Sequence, residues 1–284
     1  MVVREKRNLG FAEFGSETGR TILWFHGTPG ARRQIPEDAR VLAEANDLRI
    51  IGIDRPGIGF STPHLYGSIL DVVPDIEMVL DHLEVERFAV VGLSGGGPYA
   101  LATAYAMPDR VKVAGILGGV APNVGADSVA GGLVGYLART RPALPWVRFP
   151  LSQLLRAVVA CAAPIGPQAL ELYARFSPEG DRIVLHREEI KAMFLDDLMK
   201  NSRRRLGAPL DDLILFLRPW GFSVRDIEVP VRWWHGDADN IVPFEHGSHV
   251  VSLIPDAQLY VRHGESHLGG LGAADEVIHT LLRF

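Results

Sequence analysis

The chain has 284 residues, of which 47% are hydrophobic, and it carries a formal net charge of −5 at neutral pH. This composition can supply a sizeable core and excludes an intrinsically disordered chain. The acidic balance argues against a nucleic-acid-binding protein, because phosphate neutralisation needs a basic surface.

Features that report on cellular location predict a soluble cytoplasmic protein. The single cysteine, Cys161, cannot form an internal disulfide, which suits a reducing compartment. Residues 1–8 are charged and lack the apolar core of a signal peptide. The most apolar long window, residues 111–137, is interrupted by Pro122, Asp127 and many glycines, so it is a poor membrane span.

Apolar runs that alternate with helical patterns organise the first part of the chain. Runs that are continuously apolar predict strands covered on both faces, and apolar residues at helical spacing predict helices. The predicted elements are strands at 8–14, 21–25, 48–53, 88–93 and 111–117, and helices at 36–46, 71–83 and 98–107. This alternation predicts an α/β fold with a doubly wound, mainly parallel sheet, whose strand carboxyl ends form the functional edge.

The alternation stops between residues 122 and 222. Only helical patterns occur there, at 151–163, 188–200 and 210–217, and prolines interrupt them. Strand patterns return at 229–234 and 258–261, before a last helix at 275–284. We therefore predict a core of residues 1–121 and 223–284 with an inserted helical cap of residues 122–222.

Ser94 lies at the centre of a G-x-S-x-G pattern, GLSGG, between a predicted strand and a predicted helix. This context is typical of a nucleophile elbow, in which a sharp turn strains the serine and its neighbours two residues away lack side chains. A small residue in a glycine-rich turn is the alternative. The glycines also match the dinucleotide fingerprint G-x-G-x-x-A, but no ribose-binding acid follows the strand at 111–117, which argues against this cofactor.

Two further loops that follow predicted strands carry an aspartate and a histidine, in the chain order Ser94, Asp239, His267. Asp239 comes after the strand at 229–234, and His267 comes after the strand at 258–261. With HGTPG at 26–30, DRPGIGFS at 54–61 and the Ser94 turn, these residues resemble the α/β-hydrolase family, specifically its cap-bearing, esterase-like members. The resemblance spans almost the whole chain and implies an α/β-hydrolase fold with a cap.

The chemistry of a catalytic triad gives each of these residues a role. A serine hydroxyl needs a base within hydrogen-bond reach, which His267 would supply, and a carboxylate that orients the base. Asp239 is the predicted acid, since the family spacing before Val-Pro favours it over Asp237, which then forms a turn. Gly95 would supply one backbone N–H of an oxyanion hole, and the resemblance places the other at Thr28.

The other histidines and the single cysteine lie in less specific sequence patterns. His26 and His235 are expected to be structural, the first as a brace for the oxyanion loop. His246 and His249 lie three residues apart, and we expect a solvated helix face there rather than a metal site. Cys161 is expected to pack among apolar residues. No metal and no cofactor are therefore predicted.

These residues predict a serine hydrolase that cleaves a carboxylic ester of a small or medium apolar substrate through an acyl-enzyme. By family analogy, C–C bond hydrolases, lactonases, amidases and cofactor-free perhydrolases use the same triad. A receptor-like, ligand-binding protein with a slow triad is the alternative from another class. The expected partner is thus a small apolar ester, with no nucleic acid and no membrane span, and the oligomeric state is not predicted. The aromatic residues of the predicted cap would either line an apolar pocket or pack the cap against the core. They are Trp146, Phe149, Tyr173, Phe216 and Trp220.

Overall fold

A seven-stranded sheet lies at the centre of the computed structural model, which describes residues 1–129, 131, 166–196 and 207–284. The strands are β1 (Phe11–Gly15), β2 (Arg20–Phe25), β3 (Leu48–Ile53), β4 (Phe88–Leu93), β5 (Val111–Leu117), β6 (Val231–Gly236) and β7 (Ala257–Arg262). Their order is β1-β3-β2-β4-β5-β6-β7, and only β1 runs antiparallel to its neighbour within this sheet. The predicted mainly parallel α/β sheet is confirmed.

Both faces of the sheet are covered, which explains the continuously apolar strands. Successive side chains of a strand point to opposite faces. In β2, Leu23 and Phe25 join one buried hydrophobic cluster, whereas Ile22 and Trp24 join the other. Residues 22–25 are at most 3% exposed, so none of these four positions needs a polar side chain.

The helices agree with the predicted ones where the sequence is strongly periodic. They are α1 (Glu37–Ala45), α2 (Val73–His82), α3 (Gly97–Ala106), α4 (Gly166–Phe176), α5 (Glu179–His186), α6 (Glu188–Asp196), α7 (Gly207–Phe216), α8 (Phe244–Leu253), α9 (Gly269–Gly272) and α10 (Ala274–Leu281). The helix predicted at 151–163 lies outside the described residues. Over the ranges that the structure describes, no helix has both the length and the hydropathy needed to cross a membrane.

Prolines that were interpreted as helix breaks instead stand at helix starts. Pro167 is the second residue of α4, and Pro178 immediately precedes α5. Proline is tolerated in the first turn of a helix, because the N–H that it lacks has no intrahelical partner there. Sequence reasoning therefore missed α4 and α5.

The two segments that connect the predicted core to the predicted cap, near residues 127 and 223, lie side by side. Asp127 accepts hydrogen bonds from Ser223 Oγ at 2.6 Å, from the Val224 N–H at 2.9 Å and from Arg225 Nε at 3.0 Å. The described residues between 122 and 222 contain α4 to α7 and no strand. The cap boundaries themselves stay a prediction.

Replacing Asp127 with alanine is expected to lower the free energy of unfolding by about 1–3 kcal/mol at pH 7, because the buried Val224 N–H loses its acceptor. Burial raises the pKa of Asp127, but hydrogen bonds from Ser223, Val224 and Arg225 outweigh it, and the pKa lies below its usual value. The stabilisation is therefore present above the unfolded-state pKa of about 3.9 and is lost as the pH falls through the lower folded-state pKa.

Urea unfolding of wild type and Asp127→Ala at pH 7 and at lower pH measures this difference. The exposed Asp226, three residues from Ser223, provides the matched control variant Asp226→Ala. Equal unfolding midpoints for wild type and Asp127→Ala at pH 7 would contradict the role of the Asp127 carboxylate.

Candidate active site

Ser94 occupies a strained turn at the carboxyl end of β4. Its φ of 51° lies in the left-handed region, which is costly for a residue with a side chain. A Cβ added at Gly92 would lie 2.6 Å from the Gly96 carbonyl oxygen, and one added at Gly96 would lie 2.3 Å from the Phe25 carbonyl oxygen. The backbone therefore requires glycine at both positions, as the steric logic of a nucleophile elbow demands.

The structure brings Ser94, His267 and Asp239 into one hydrogen-bonded chain. Ser94 Oγ lies 2.7 Å from His267 Nε2, and His267 Nδ1 lies 2.8 Å from Asp239 Oδ2. Asp239 follows β6 and His267 follows β7, and these strands are neighbours in the sheet. With its proton on Nδ1, the neutral His267 ring can accept the Ser94 proton at Nε2.

Asp239 is buried and held by hydrogen bonds on both carboxylate oxygens. Oδ1 accepts from the N–H groups of Ile241 and Val242, both at 2.9 Å, while Oδ2 faces His267. Burial raises the pKa of Asp239, but hydrogen bonds from His235 and His267 outweigh it and hold the pKa well below its usual range. The carboxylate is therefore charged at neutral pH and fixed in orientation.

The rival carboxylate, Asp237, has a different environment. It is exposed at the surface, where Oδ2 lies 2.8 Å from His263 Nδ1 and Oδ1 accepts from the Gly264 N–H at 2.8 Å. These contacts make it a turn-forming side chain that links the loops after β6 and β7. The geometry thus brings Asp239, and not Asp237, to His267.

His235 packs against Asp239 and supports its position. Trp233 Nε1 donates to His235 Nδ1 at 3.1 Å, and an indole nitrogen is only a donor, so the ring proton of His235 lies on Nε2. Nε2 faces the Val242 carbonyl oxygen at 2.9 Å and Asp239 Oδ2 at 3.3 Å. These contacts fit the structural role expected for His235.

The expected solvated helix face is wrong for His246. Its side chain is buried, and Nδ1 accepts a hydrogen bond from the Ala121 N–H at 3.1 Å. His249, on the same helix, is half-buried with Nε2 at 3.1 Å from the Asp127 carbonyl oxygen. Within the described ranges, no group of three or more His, Cys, Asp or Glu residues could hold a metal ion.

The two residues predicted to form the oxyanion hole are adjacent. A Cβ added at Gly95 would lie 2.3 Å from Thr28 Oγ1. In the loop after β2, the Gly27 N–H already donates to Gln34 Oε1 at 2.7 Å, and Pro29 has no N–H. Thr28 thus lies directly against Gly95, as the predicted pair of backbone donors requires.

A buried arginine holds this oxyanion loop in place. Arg55, 1% exposed, donates to the carbonyl oxygens of His26 and Gly27, the latter at 2.9 Å, and to Thr28 Oγ1 at 2.7 Å. Burial and the charge of Arg55 keep the pKa of His26 well below its usual value. His26 is therefore neutral, and its Nδ1–H donates to the Gly27 carbonyl oxygen at 2.7 Å, as a brace would.

The counter-charge of Arg55 is Asp212 on α7, which sequence reasoning missed. Arg55 Nη2 lies 2.8 Å from Asp212 Oδ2, which also accepts from Thr28 Oγ1 at 2.9 Å. Tyr99 donates its hydroxyl proton to Asp212 Oδ1 at 2.7 Å. One signal was available, because a carboxylate within the apolar helix pattern at 210–217 requires a buried partner.

An apolar cavity of about 270 Å³ opens beside Ser94 and His267. Three helices between residues 166 and 196 contribute Leu170, Leu185 and Phe194 to its lining. Two of the cap aromatics, Phe216 and Trp220, pack instead in the main hydrophobic cluster. Trp146, Phe149, Cys161 and the side chain of Tyr173 lie outside the described part of the chain.

Replacing Asp212 with alanine is expected to lower the free energy of unfolding by about 3–5 kcal/mol, because Arg55 would keep a buried charge without a partner. Tyr99→Phe removes only one hydrogen bond to Asp212 and should cost about 1 kcal/mol. A double variant, Arg55→Met with Asp212→Leu, should recover much of the loss.

Urea unfolding at neutral pH measures all three variants against wild type. If Asp212→Ala were no more destabilising than Tyr99→Phe, the buried ion pair would not be what holds the oxyanion loop.

Comparisons with known proteins agree with this architecture. The model of a family described as alpha/beta hydrolase fold matches residues 20–144. A probable proline iminopeptidase of Leptolyngbya boryana is 35% identical over 103 residues, which are 35% of this chain and 32% of that protein. The chain spans about a third of the length of such curated proline iminopeptidases.

Two further comparisons extend over almost the whole chain. An uncharacterised hydrolase of Bacillus subtilis (strain 168), YcgS, is 25% identical over 275 residues, which are 94% of this chain and 91% of that one. The solved structure of an esterase of Exiguobacterium antarcticum has a TM-score of 0.69 at 19% identity, and covers 100% of this chain and 97% of that one. With this sheet order, the matched family model and this structural match, the chain has the α/β-hydrolase fold.

Proposed function

We propose that the protein is a serine hydrolase that cleaves a carboxylic ester of a small or medium apolar substrate through an acyl-enzyme. The observation that carries this proposal is the hydrogen-bonded chain from Ser94 through His267 to Asp239, which opens onto an apolar cavity. The α/β-hydrolase fold and the family model that matches residues 20–144 support the hydrolase class.

In the first half of the reaction, Ser94 Oγ attacks the acyl carbon while His267 Nε2 takes the serine proton. Asp239 stays ionised and stabilises the imidazolium that forms. The backbone N–H groups of Thr28 and Gly95 stabilise the oxyanion, and each such donor contributes about 3 kcal/mol to the transition state.

In the second half, the bond between the acyl carbon and the alcohol oxygen breaks, and His267 gives its proton to the departing alcohol. A water molecule then enters, and His267 removes one of its protons as the oxygen attacks the acyl-enzyme. Collapse of this intermediate returns the proton to Ser94 Oγ and releases the carboxylic acid.

The cavity favours an uncharged, apolar acyl group. Its described lining contains leucine, isoleucine, phenylalanine, proline and glycine, with polar groups confined to Thr28, Gln34, Ser94 and His267. A volume of about 270 Å³ lies just below the range of about 300–1,000 Å³ that is common for ligand pockets. We assign residues 122–222 as the cap, because α4, α5 and α6 each contribute one side chain to this lining.

Peptide bond hydrolysis is the second candidate, favoured by the relatives named as proline iminopeptidases. A substrate with a free amino-terminal cation would need a carboxylate in the pocket to compensate its desolvation. The described lining of the cavity contains no carboxylate. The pocket chemistry therefore favours the ester.

A series of 4-nitrophenyl esters from acetate to decanoate, together with proline 4-nitroanilide, separates the two candidates. We expect wild type to hydrolyse short and medium esters best, because the cavity is small and apolar, and to cleave the anilide more slowly than any of them. Ser94→Ala should lose this activity and its labelling by an activated phosphonate.

The exposed Ser252 on α8 provides the matched control, and Ser252→Ala should behave as wild type. Ester hydrolysis no faster than in Ser94→Ala would overturn the esterase proposal. Faster cleavage of the anilide than of every ester would favour the peptidase.

The acid of the triad is tested by a matched pair of amide variants. Asp239→Asn is expected to lower kcat on the order of 10³- to 10⁴-fold, because the amide favours the wrong tautomer of His267. Asp237→Asn, two residues away and exposed, should keep kcat close to wild type. Steady-state kinetics on the best ester measures both, and a larger loss in Asp237→Asn would reverse the assignment.

A further inference from the structure

A carboxylate from the cap reaches the loop that carries His267. Asp181 lies on α5 and is 1% exposed. Its Oδ1 accepts hydrogen bonds from the N–H groups of Ser266 at 3.1 Å, Leu268 at 3.1 Å and Gly269 at 3.0 Å. One oxygen atom therefore binds the backbone on both sides of His267.

Close backbone packing holds the same loop from two directions. A Cβ added at Gly180, next to Asp181, would lie 2.9 Å from Glu265 Cα, so α5 lies directly against the loop. From the other side, the Ala238 N–H in the loop after β6 donates to the Glu265 carbonyl oxygen at 3.0 Å. The loop after β7 is thus enclosed between α5 and the segment that carries the triad acid.

We infer that Asp181 is a positioning residue for His267, which keeps the imidazole aligned between Ser94 and Asp239. The inference rests on the proposed function, since His267 is the base only if the triad is catalytic. Displacing a reacting group by about 1 Å can lower the rate on the order of 100-fold. A loop that holds His267 in position therefore maintains the rate of the reaction.

The burial of the Asp181 carboxylate is unfavourable for its charged form. Asp181 Oδ2 is buried and has no hydrogen-bond partner among the described residues. Burial raises the pKa of Asp181, although the N–H groups of Leu268, Gly269 and Ser266 oppose that effect. A buried carboxylate with one unpartnered oxygen contributes little to the stability of the fold. The three hydrogen bonds that Oδ1 accepts instead fix the position of the loop that carries His267.

The same helix also contacts the substrate cavity. Leu185 follows Asp181 by four residues, which places both side chains on one face of α5. Leu185 lines the cavity beside Ser94. The element that shapes the pocket is therefore the element that holds the base.

The test compares Asp181→Ala, Asp181→Asn and the control Glu179→Ala, which alters an exposed side chain on the same helix. Asp181→Ala should lower kcat for the best ester about 30-fold and change KM less than about twofold, because alignment rather than binding is lost. Asp181→Asn should restore kcat to within about threefold of wild type, since its amide oxygen accepts the same N–H groups. Glu179→Ala should match wild type.

A second variant perturbs the loop without touching the carboxylate. Gly180→Ala adds a methyl group against Glu265 and should lower kcat about tenfold, while alanine favours the helix. This variant decides the question if Asp181→Ala does not fold. Wild-type kcat in Gly180→Ala, or in a folded Asp181→Ala, would overturn the inference, as would equal losses in Asp181→Asn and Asp181→Ala.

Proton NMR gives a readout that does not depend on turnover. The His267 Nδ1 proton shared with Asp239 should give a downfield resonance in wild type that is lost in Asp181→Ala and recovered in Asp181→Asn. An unchanged resonance in Asp181→Ala would contradict the positioning role. If wild type showed the resonance but hydrolysed no ester, the proposed function would fail while the positioning of His267 could still be measured.

Discussion

The buried charge of Arg55 is the constraint on which the Thr28 side of the site depends. A guanidinium that is 1% exposed needs a counter-charge and acceptors for its remaining N–H groups. Asp212 supplies the charge, and the carbonyl oxygens of His26 and Gly27 supply acceptors. Satisfying one cation therefore brings together the loops after β2 and β3 and helix α7. Thr28 hydrogen-bonds to both charged side chains, and these bonds hold it beside Gly95.

Asp212 and Asp181 play parallel parts on the two sides of the site. Each is a buried carboxylate from the segment between residues 122 and 222, and each reaches a loop at the carboxyl edge of the sheet. Asp212 holds the loop that carries Thr28, and Asp181 holds the loop that carries His267. In the proposed mechanism this segment therefore contributes to the alignment of Thr28 and His267 as well as to the cavity lining, so changes in its packing should affect the rate of the chemical step.

The sequence was sufficient for the sheet and for the three residues of the hydrogen-bonded chain. Strands covered on both faces must be continuously apolar, and the elbow at Ser94 needs glycine two residues to either side, so both leave a local pattern. Asp212 leaves only the signal of a carboxylate within an apolar helix pattern, which does not identify its partner, and Asp181 leaves no local signal. Arg55 lies 157 positions before Asp212, and the partners of Asp181 are backbone N–H groups that any residue except proline would offer. His246 was misjudged for the same reason, since its burial depends on the distant backbone of Ala121.

Asp237 and Asp239 show how far tertiary contacts decide chemistry that residue type leaves open. The two aspartates lie two positions apart in the same loop. Asp239 turns inward, where two backbone N–H groups and His235 offset the desolvation of its charge. Asp237 turns outward and closes a surface turn with His263. A carboxylate orients a histidine base strongly only where it is shielded from water. It must also accept enough hydrogen bonds to stay ionised there. Of the two aspartates, only Asp239 meets both conditions. The hydrogen bonds from His235 and from the N–H groups of Ile241 and Val242 allow its charge to be buried.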